Sequence, residues 1–260
     1  MKKYILVLLV LIAAIVPFFM AKNNSCPAKN ALAPTVDFLQ DLKLRKDNLA
    51  LAEIEKVLSV KPDDLPALWA KAEVLRRNYK FKQSEELLNR ILAKYPAYTS
   101  ALISLSYIRY HNNEFETALK ILKQVLKQPN LERENKALIY MLMGSINARR
   151  ASLGGFFSKI AYGIHIKGYF EKAKVLAPDL SEVRLGLGTF YLLAPGIVGG
   201  DLERAIEELE CAVKLTPDFA TANARLAQAY KKKGDWEKYN SYLKRAKQLD
   251  PENAVLKEIK

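Results

Sequence analysis

The residues able to do chemistry are few and scattered. There are two histidines, His111 and His165, and two cysteines, Cys26 and Cys211. Neither histidine stands at ligand spacing from another His, a Cys or a carboxylate pair, as a metal site would require. The cysteines lie in unlike contexts and do not make a disulfide framework. Cys211, next to the small Ala212, reads as a reduced, partly buried thiol. The acidic pairs Glu85–Glu86 and Glu207–Glu208 fall on helical patterns as solvated faces, and no serine is marked as a nucleophile by a nearby histidine and acid. The glycine-rich stretch "APGIVGG", 194–200, resembles a phosphate cradle only in composition. A cradle needs a strand before the glycines and a Lys-Ser/Thr after them. Here a helical pattern runs into Leu193 and Asp201 follows, a good N-cap for the next helix. No catalytic residue, metal or cofactor is expected.

The elements that position these residues repeat. Prolines at 62, 96, 129, 178, 217 and 251 each close an amphipathic helical pattern, with gaps of 34, 33, 49, 39 and 34 residues. The last unit, "ANARLAQAYKKKGDWEKYNSYLKRAKQLDP", places Leu226, Ala227, Tyr230, Gly234, Trp236, Ala246 and Pro251 at the spacing of a helix-turn-helix repeat of this period. From about residue 36 to the end the chain resembles tetratricopeptide-repeat (TPR) proteins. The resemblance implies an all-α fold, a right-handed superhelix of helix-turn-helix units, preceded here by an N-terminal membrane-spanning or signal segment. A degenerate unit is expected at 36–62, full units at 65–96, 99–129, 134–178, 181–217 and 220–251, and a closing helix at 253–260. Small residues (Gly144, Ala173, Gly188, Ala205, Ala212) suit the helix crossings, and Phe170, Tyr191 and Leu209 fill the gaps between units. No unit buries its apolar face alone, so the units must stack.

Two units are too long, with insertions at 151–165 and 194–200 in consecutive A-to-B turns. They carry the apolar residues Phe156, Phe157, Ile160 and Tyr162, and Ile197 and Val198, which are expected to pack together and leave an apolar patch. This pair of units is also similar to a subgroup of bacterial envelope TPR proteins and, more distantly, to the eukaryotic regulators of microtubule dynamics. That likeness implies no catalytic residue, and microtubule binding is not inferred from it.

The repeat register picks out a concave groove on the first helix of each unit. Its candidate partner-binding residues are Trp69, Glu73, Arg76, Arg77, Ile103, Tyr107, Tyr110, His111, Met141, Arg149, Lys231 and Lys232. An aromatic and apolar middle with basic ends suits an extended or helical peptide with an acidic group. Such side chains are expected to contribute little to the core. The chaperone-tail clamp of some TPR proteins needs Lys and Asn where Trp69 and Glu73 stand, so that ligand is not implied.

Composition bounds the rest. The formal charge is +13 over 260 residues, and Lys2, Lys3, Lys22 and Lys29 are the only charged side chains among the first 29. The balance suits acidic partners without choosing among them; no nucleic acid is expected. Tyr4 to Ala21 is an unbroken apolar run behind Lys2 and Lys3, near the minimum length for a span. It reads as a signal or anchor over 1–21 with a linker at 22–35: a single-pass anchor holding the body on the extracytoplasmic side, or a signal removed to leave a secreted or periplasmic protein. A lipidated Cys26 is a third reading, although "NNSC" lacks the apolar residue expected before it. The functional expectation is a membrane-anchored TPR scaffold of the cell envelope that binds a protein or peptide. Its partners would be that segment, the membrane through residues 4–21, and a second copy of the chain. The alternative is an accessory or solute-binding component of a transporter or assembly system.

Overall fold

The computed structural model describes Cys26 and residues 37–259, with the backbone alone for 155–164. The chain divides into two compact units, Met1–Asn30 and Ala31–Lys260, and every helix below belongs to the second. Helices pair as antiparallel hairpins: α1 (Phe38–Lys43) with α2 (Asp47–Val60), α3 (Leu65–Arg77) with α4 (Phe81–Lys94), α5 (Thr99–His111) with α6 (Phe115–Val125), and α7 (Arg133–Leu153) with α8 (Gly155–Leu176). Then come α9 (Ser181–Leu193) with α10 (Leu202–Leu215), joined through a 3-10 turn at Gly196–Val198, α11 (Ala220–Lys233) with α12 (Trp236–Leu249), and the closing α13 (Ala254–Glu258). The described fold is an all-α, right-handed TPR-type solenoid.

Local chemistry sets the ends of these helices. Asp64, Asp201 and Asp235 are N-caps whose carboxylates accept backbone N–H groups of Ala67, Arg204 and Lys238 at 3.0, 3.1 and 3.1 Å. Arg76 and Arg77, and Lys231 to Lys233, fall in last turns, where cations suit the exposed carbonyls. Between paired helices the chain reverses through one residue of left-handed backbone: Arg45 (φ 63°), Tyr79 (φ 59°), Asn113 (φ 62°) and Gly234 (φ 84°). The first three lie 34 residues apart, so the repeat is written into the backbone as well as the core.

Packing follows the same period. Buried alanines and glycines lie where helices cross: a Cβ on Gly188 would come 2.7 Å from Leu209 Cγ, and one on Gly144 would stand 3.1 Å from the Phe170 ring. Ser84 donates to the Ala72 carbonyl at 2.7 Å across the α3–α4 contact. The apolar clusters pass from α1 through to α13, each hairpin sharing its buried face with the next.

The extra residues of the third full unit are taken up as helix. α7 and α8 run to 21 and 22 residues against 13 or 14 in most neighbours, with only Gly154 between them. "APGIVGG" is an ordered turn: Gly200 N–H donates to Pro195 O at 3.0 Å, Asp201 N–H to Tyr191 O at 2.9 Å, and the 3-10 segment packs against α8.

The membrane expectations are corrected. The run over 4–21 lies outside the described residues, and among the described residues no helix is long and apolar enough to cross a membrane. The spanning segment, the single-pass anchor with an extracytoplasmic body and the membrane as a partner are therefore dropped from the fold and from the function.

Three glycines should respond differently to alanine. Gly188→Ala would overpack Leu209 and is expected to cost about 1–3 kcal/mol. Gly200→Ala would drive a Cβ into the Ala194 carbonyl oxygen and should be worse. Gly168, in α8 with nothing within 4 Å of its virtual Cβ, should gain up to about 1 kcal/mol as a helix-interior glycine. Urea melts of the three variants check the order.

Candidate functional site

Within the solenoid the first helices of successive hairpins touch one another: α3 with α5, α5 with α7, α7 with α9, α9 with α11. The second helices α4, α6, α8, α10 and α12 make no such contacts among the described residues. The stack therefore curves with its first helices on the inside, and their free sides form the concave face.

A connected polar network occupies the N-terminal half of this face. Trp69 Nε1 donates to Ser104 Oγ at 3.1 Å, and Ser104 Oγ donates to Glu73 at 3.0 Å. The Glu73 carboxylate also accepts a two-pronged contact from Arg76, and Arg77 Nε at 3.2 Å. Arg77 reaches back to the first hairpin, donating to Leu42 O at 2.7 Å and Asp47 at 2.8 Å. The Arg76 guanidinium lies over the Tyr107 ring, 4.6 Å from its centre, and the Tyr107 hydroxyl meets Met141 Sδ at 3.9 Å.

The first hairpin then reaches across the groove. Arg45 pairs with Glu182 at 2.6 Å and stacks over Phe219 at 4.1 Å. Lys43 pairs with Glu134 at 2.9 Å. From the α3–α4 turn of the second hairpin, the Tyr79 hydroxyl donates to Asp250 at 2.9 Å. Behind Glu182, Thr216 Oγ1 donates to Ser181 Oγ at 3.0 Å, and Ser181 Oγ to Glu182 at 3.1 Å.

Charge is balanced here: Arg45, Arg76 and Arg77 face Asp47, Glu73 and Glu182. Burial pushes the Glu73 carboxyl up, but Arg76 and then Arg77 outweigh it and hold it well below the usual carboxylate range. Burial likewise opposes ionisation of Glu182, and Arg45 and Arg77 again win, lowering it. Burial raises the Tyr107 phenol more than Arg76 lowers it.

The expected groove residues divide accordingly. Glu73 is only 7% exposed and is the centre of the network rather than an open contact, with Arg76 and Arg77 spent on it. Ile103 and Met141 are buried between helices and face no open groove. Trp69, Tyr107 and Tyr110 are half-buried; His111 is exposed and stacks on Phe81 at 5.0 Å. Arg149 is exposed, Lys231 lies 5.9 Å from the Tyr239 ring centre, and Lys232 donates to Leu192 O at 3.4 Å. In the insertions, Val198 is buried and Ile197 is 78% exposed. The side chains of Phe156, Phe157, Ile160 and Tyr162 lie outside the described residues. Cys211 is corrected: it is buried and disulfide-bonded, not a reduced thiol.

Arg45, Asp47, Ser104, Glu182 and Phe219 were missed by register. Arg45 occupies the turn position that Tyr79, Asn113 and Gly234 fill in other units, so its residue type alone does not mark it.

Among the described residues, no group of three His, Cys, Asp or Glu is placed to hold a metal ion. Profiles of the tetratricopeptide repeat match residues 69–132 and 225–253, and a profile described as TPR repeat matches 199–234. The chain is a tetratricopeptide-repeat protein. Its fold is a non-catalytic interaction scaffold. Among curated proteins none matches this TPR chain by sequence. Of solved structures, it is similar to the thermophilic TPR protein TTC0263 of Thermus thermophilus, at 18% identity and TM-score 0.58, covering 75% of this chain and 96% of that one. It is also similar to PilW, titled a widely conserved type IV pilus biogenesis factor, at 14% identity and TM-score 0.50, covering 85% and 94%. At these identities the likeness concerns the fold alone.

Neutralising the centre of the network should be costly. Glu73→Gln leaves two buried guanidinium groups short of a carboxylate, and a loss of about 3–5 kcal/mol in urea unfolding is expected. The pH dependence has a definite sign. Because Glu73 and Glu182 are held below their unfolded values, their stabilisation is complete above the unfolded carboxyl pKa of about 4.3 and is lost as pH falls toward the lowered values. The variant should show a shallower acid limb than the wild type.

Proposed function

We propose that this TPR array is a non-catalytic accessory component of an assembly, a scaffold whose concave face holds a protein or peptide segment. The observation that supports this most is the arrangement of that face. Tyr107, Tyr110, His111, Arg149 and Lys232 all stand on its inner helices with accessible surface, and Tyr107 lies against the Arg76 guanidinium of the charge network. Half-buried aromatic rings next to fixed charges are the side chains that carry binding energy in protein interfaces. The accessory reading, without an anchor, replaces the membrane-bound scaffold.

Arg77 is not a test of this reading, since its three partners make it structural. Site-specific photo-crosslinking is a direct one. A photoreactive residue at Tyr110 or Arg149 should capture the same protein partner, and one at the exposed outer position Arg90 should not. Tyr107→Ala should weaken that partner by roughly 1–3 kcal/mol with the helical circular dichroism retained. Capture from Arg90 alone, or unchanged affinity, would remove the concave face as the recognition surface.

A further inference from the structure

We infer that Glu182 and Phe219 form a receptor for an arginine side chain of a partner segment, occupied here by the chain's own Arg45. The inference deepens the groove reading above and rests on it.

Three observations carry it. First, the site is built. The Phe219 ring is buried and offers its face, the Glu182 carboxylate lies beside it, and the buried pair Thr216–Ser181 orients that carboxylate through successive hydroxyl donations of 3.0 and 3.1 Å. A ring face and a fixed carboxylate together match a planar guanidinium, which stacks and donates at once. Arg45 does both, at 4.1 Å from the ring centre and 2.6 Å from the carboxylate.

Second, Arg45 is a poor occupant. It reaches the site from 137 residues away in the chain, out of a turn where its backbone is left-handed at φ 63°. Its buried Nε–H has no hydrogen-bond partner. An unmet buried donor counts against the closed state. A guanidinium arriving with its Nε–H satisfied would bind the same site better.

Third, the charge count names the replacement. With Arg45 withdrawn, Arg76 and Arg77 remain against Asp47, Glu73 and Glu182, and the network around the vacated site carries one excess carboxylate. The incoming group must be a cation. An acidic peptide would find Arg76 and Arg77 already paired and would meet Glu182 as a like charge.

The test uses the full chain and the peptide acetyl-Gly-Ser-Arg-Ser-Gly-amide, followed by titration calorimetry. Arg45→Gly vacates the site and suits the left-handed backbone; Arg45→Met vacates the charge and keeps the side-chain length. Both leave Glu182 without its cation, so the helical circular dichroism of each is matched to the wild type before titration. Either folded variant should bind the peptide at least tenfold more tightly than the wild type. Adding Glu182→Gln should abolish that gain, and a citrulline peptide should not bind. Equal affinity of wild type and both vacated variants would overturn the inference, as would a gain that survives Glu182→Gln or is matched by citrulline. Free L-arginine matching the peptide would overturn its assignment to a protein segment. A null result here with inner-face crosslinking intact rejects the arginine receptor alone; loss of that crosslinking rejects the groove reading itself.

Discussion

A hairpin of two short helices exposes more apolar surface than it can cover on its own, and the rest of this structure follows from that. Each hairpin finishes its core on the next, so the units must stack at a fixed rotation. Contact between first helices, such as α3 with α5 and α7 with α9, and its absence between second helices among the described residues make the stack curve. Curvature brings the first two hairpins to face the later ones, which lets Lys43, Arg45 and Tyr79 reach Glu134, Glu182 and Asp250. The concave face is thus a consequence of core completion, and its chemistry is what the sequence places on the inner helices.

That chemistry couples recognition to stability. Taking Glu73, Arg76 and Arg77 out of water is unfavourable unless each charge is met, and here each is met by more than one contact. The same groups hold Tyr107 beneath Arg76 and tie α3 to the first hairpin. A face stiffened in this way presents its remaining side chains, Tyr110, His111 and Arg149, on a rigid support. The exposed Ile197 beside the buried Val198 shows the same division of labour in a turn: one residue anchors and its neighbour is left outside.

Much of the fold was legible because stacking is a nearest-neighbour problem. Proline spacing marks the unit ends, and Gly188 against Leu209 is a contact within one unit that a period of 34 can locate. The insertion at 151–165, placed in a turn by the repeat register, is instead taken up by the end of α7 and the start of α8. The site was less legible. Register put Glu73 and Arg77 on the concave face but carried no information on what crosses it, so they read as open contacts and not as members of a buried network. Arg45 and Glu182 meet through the accumulated rotation of several units, a sum of small angles that no local pattern encodes.

The central claim is that the array is held closed across its groove by Arg45 on Glu182. Pulsed electron-spin distance measurement between labels at the exposed positions Asn48 and Glu252, one near each end, reads this directly. The account expects one narrow, short distance in the wild type, and a longer, broader distribution once Glu182→Gln removes the pairing. A wild-type distribution already broad, or one unchanged by Glu182→Gln, would contradict it.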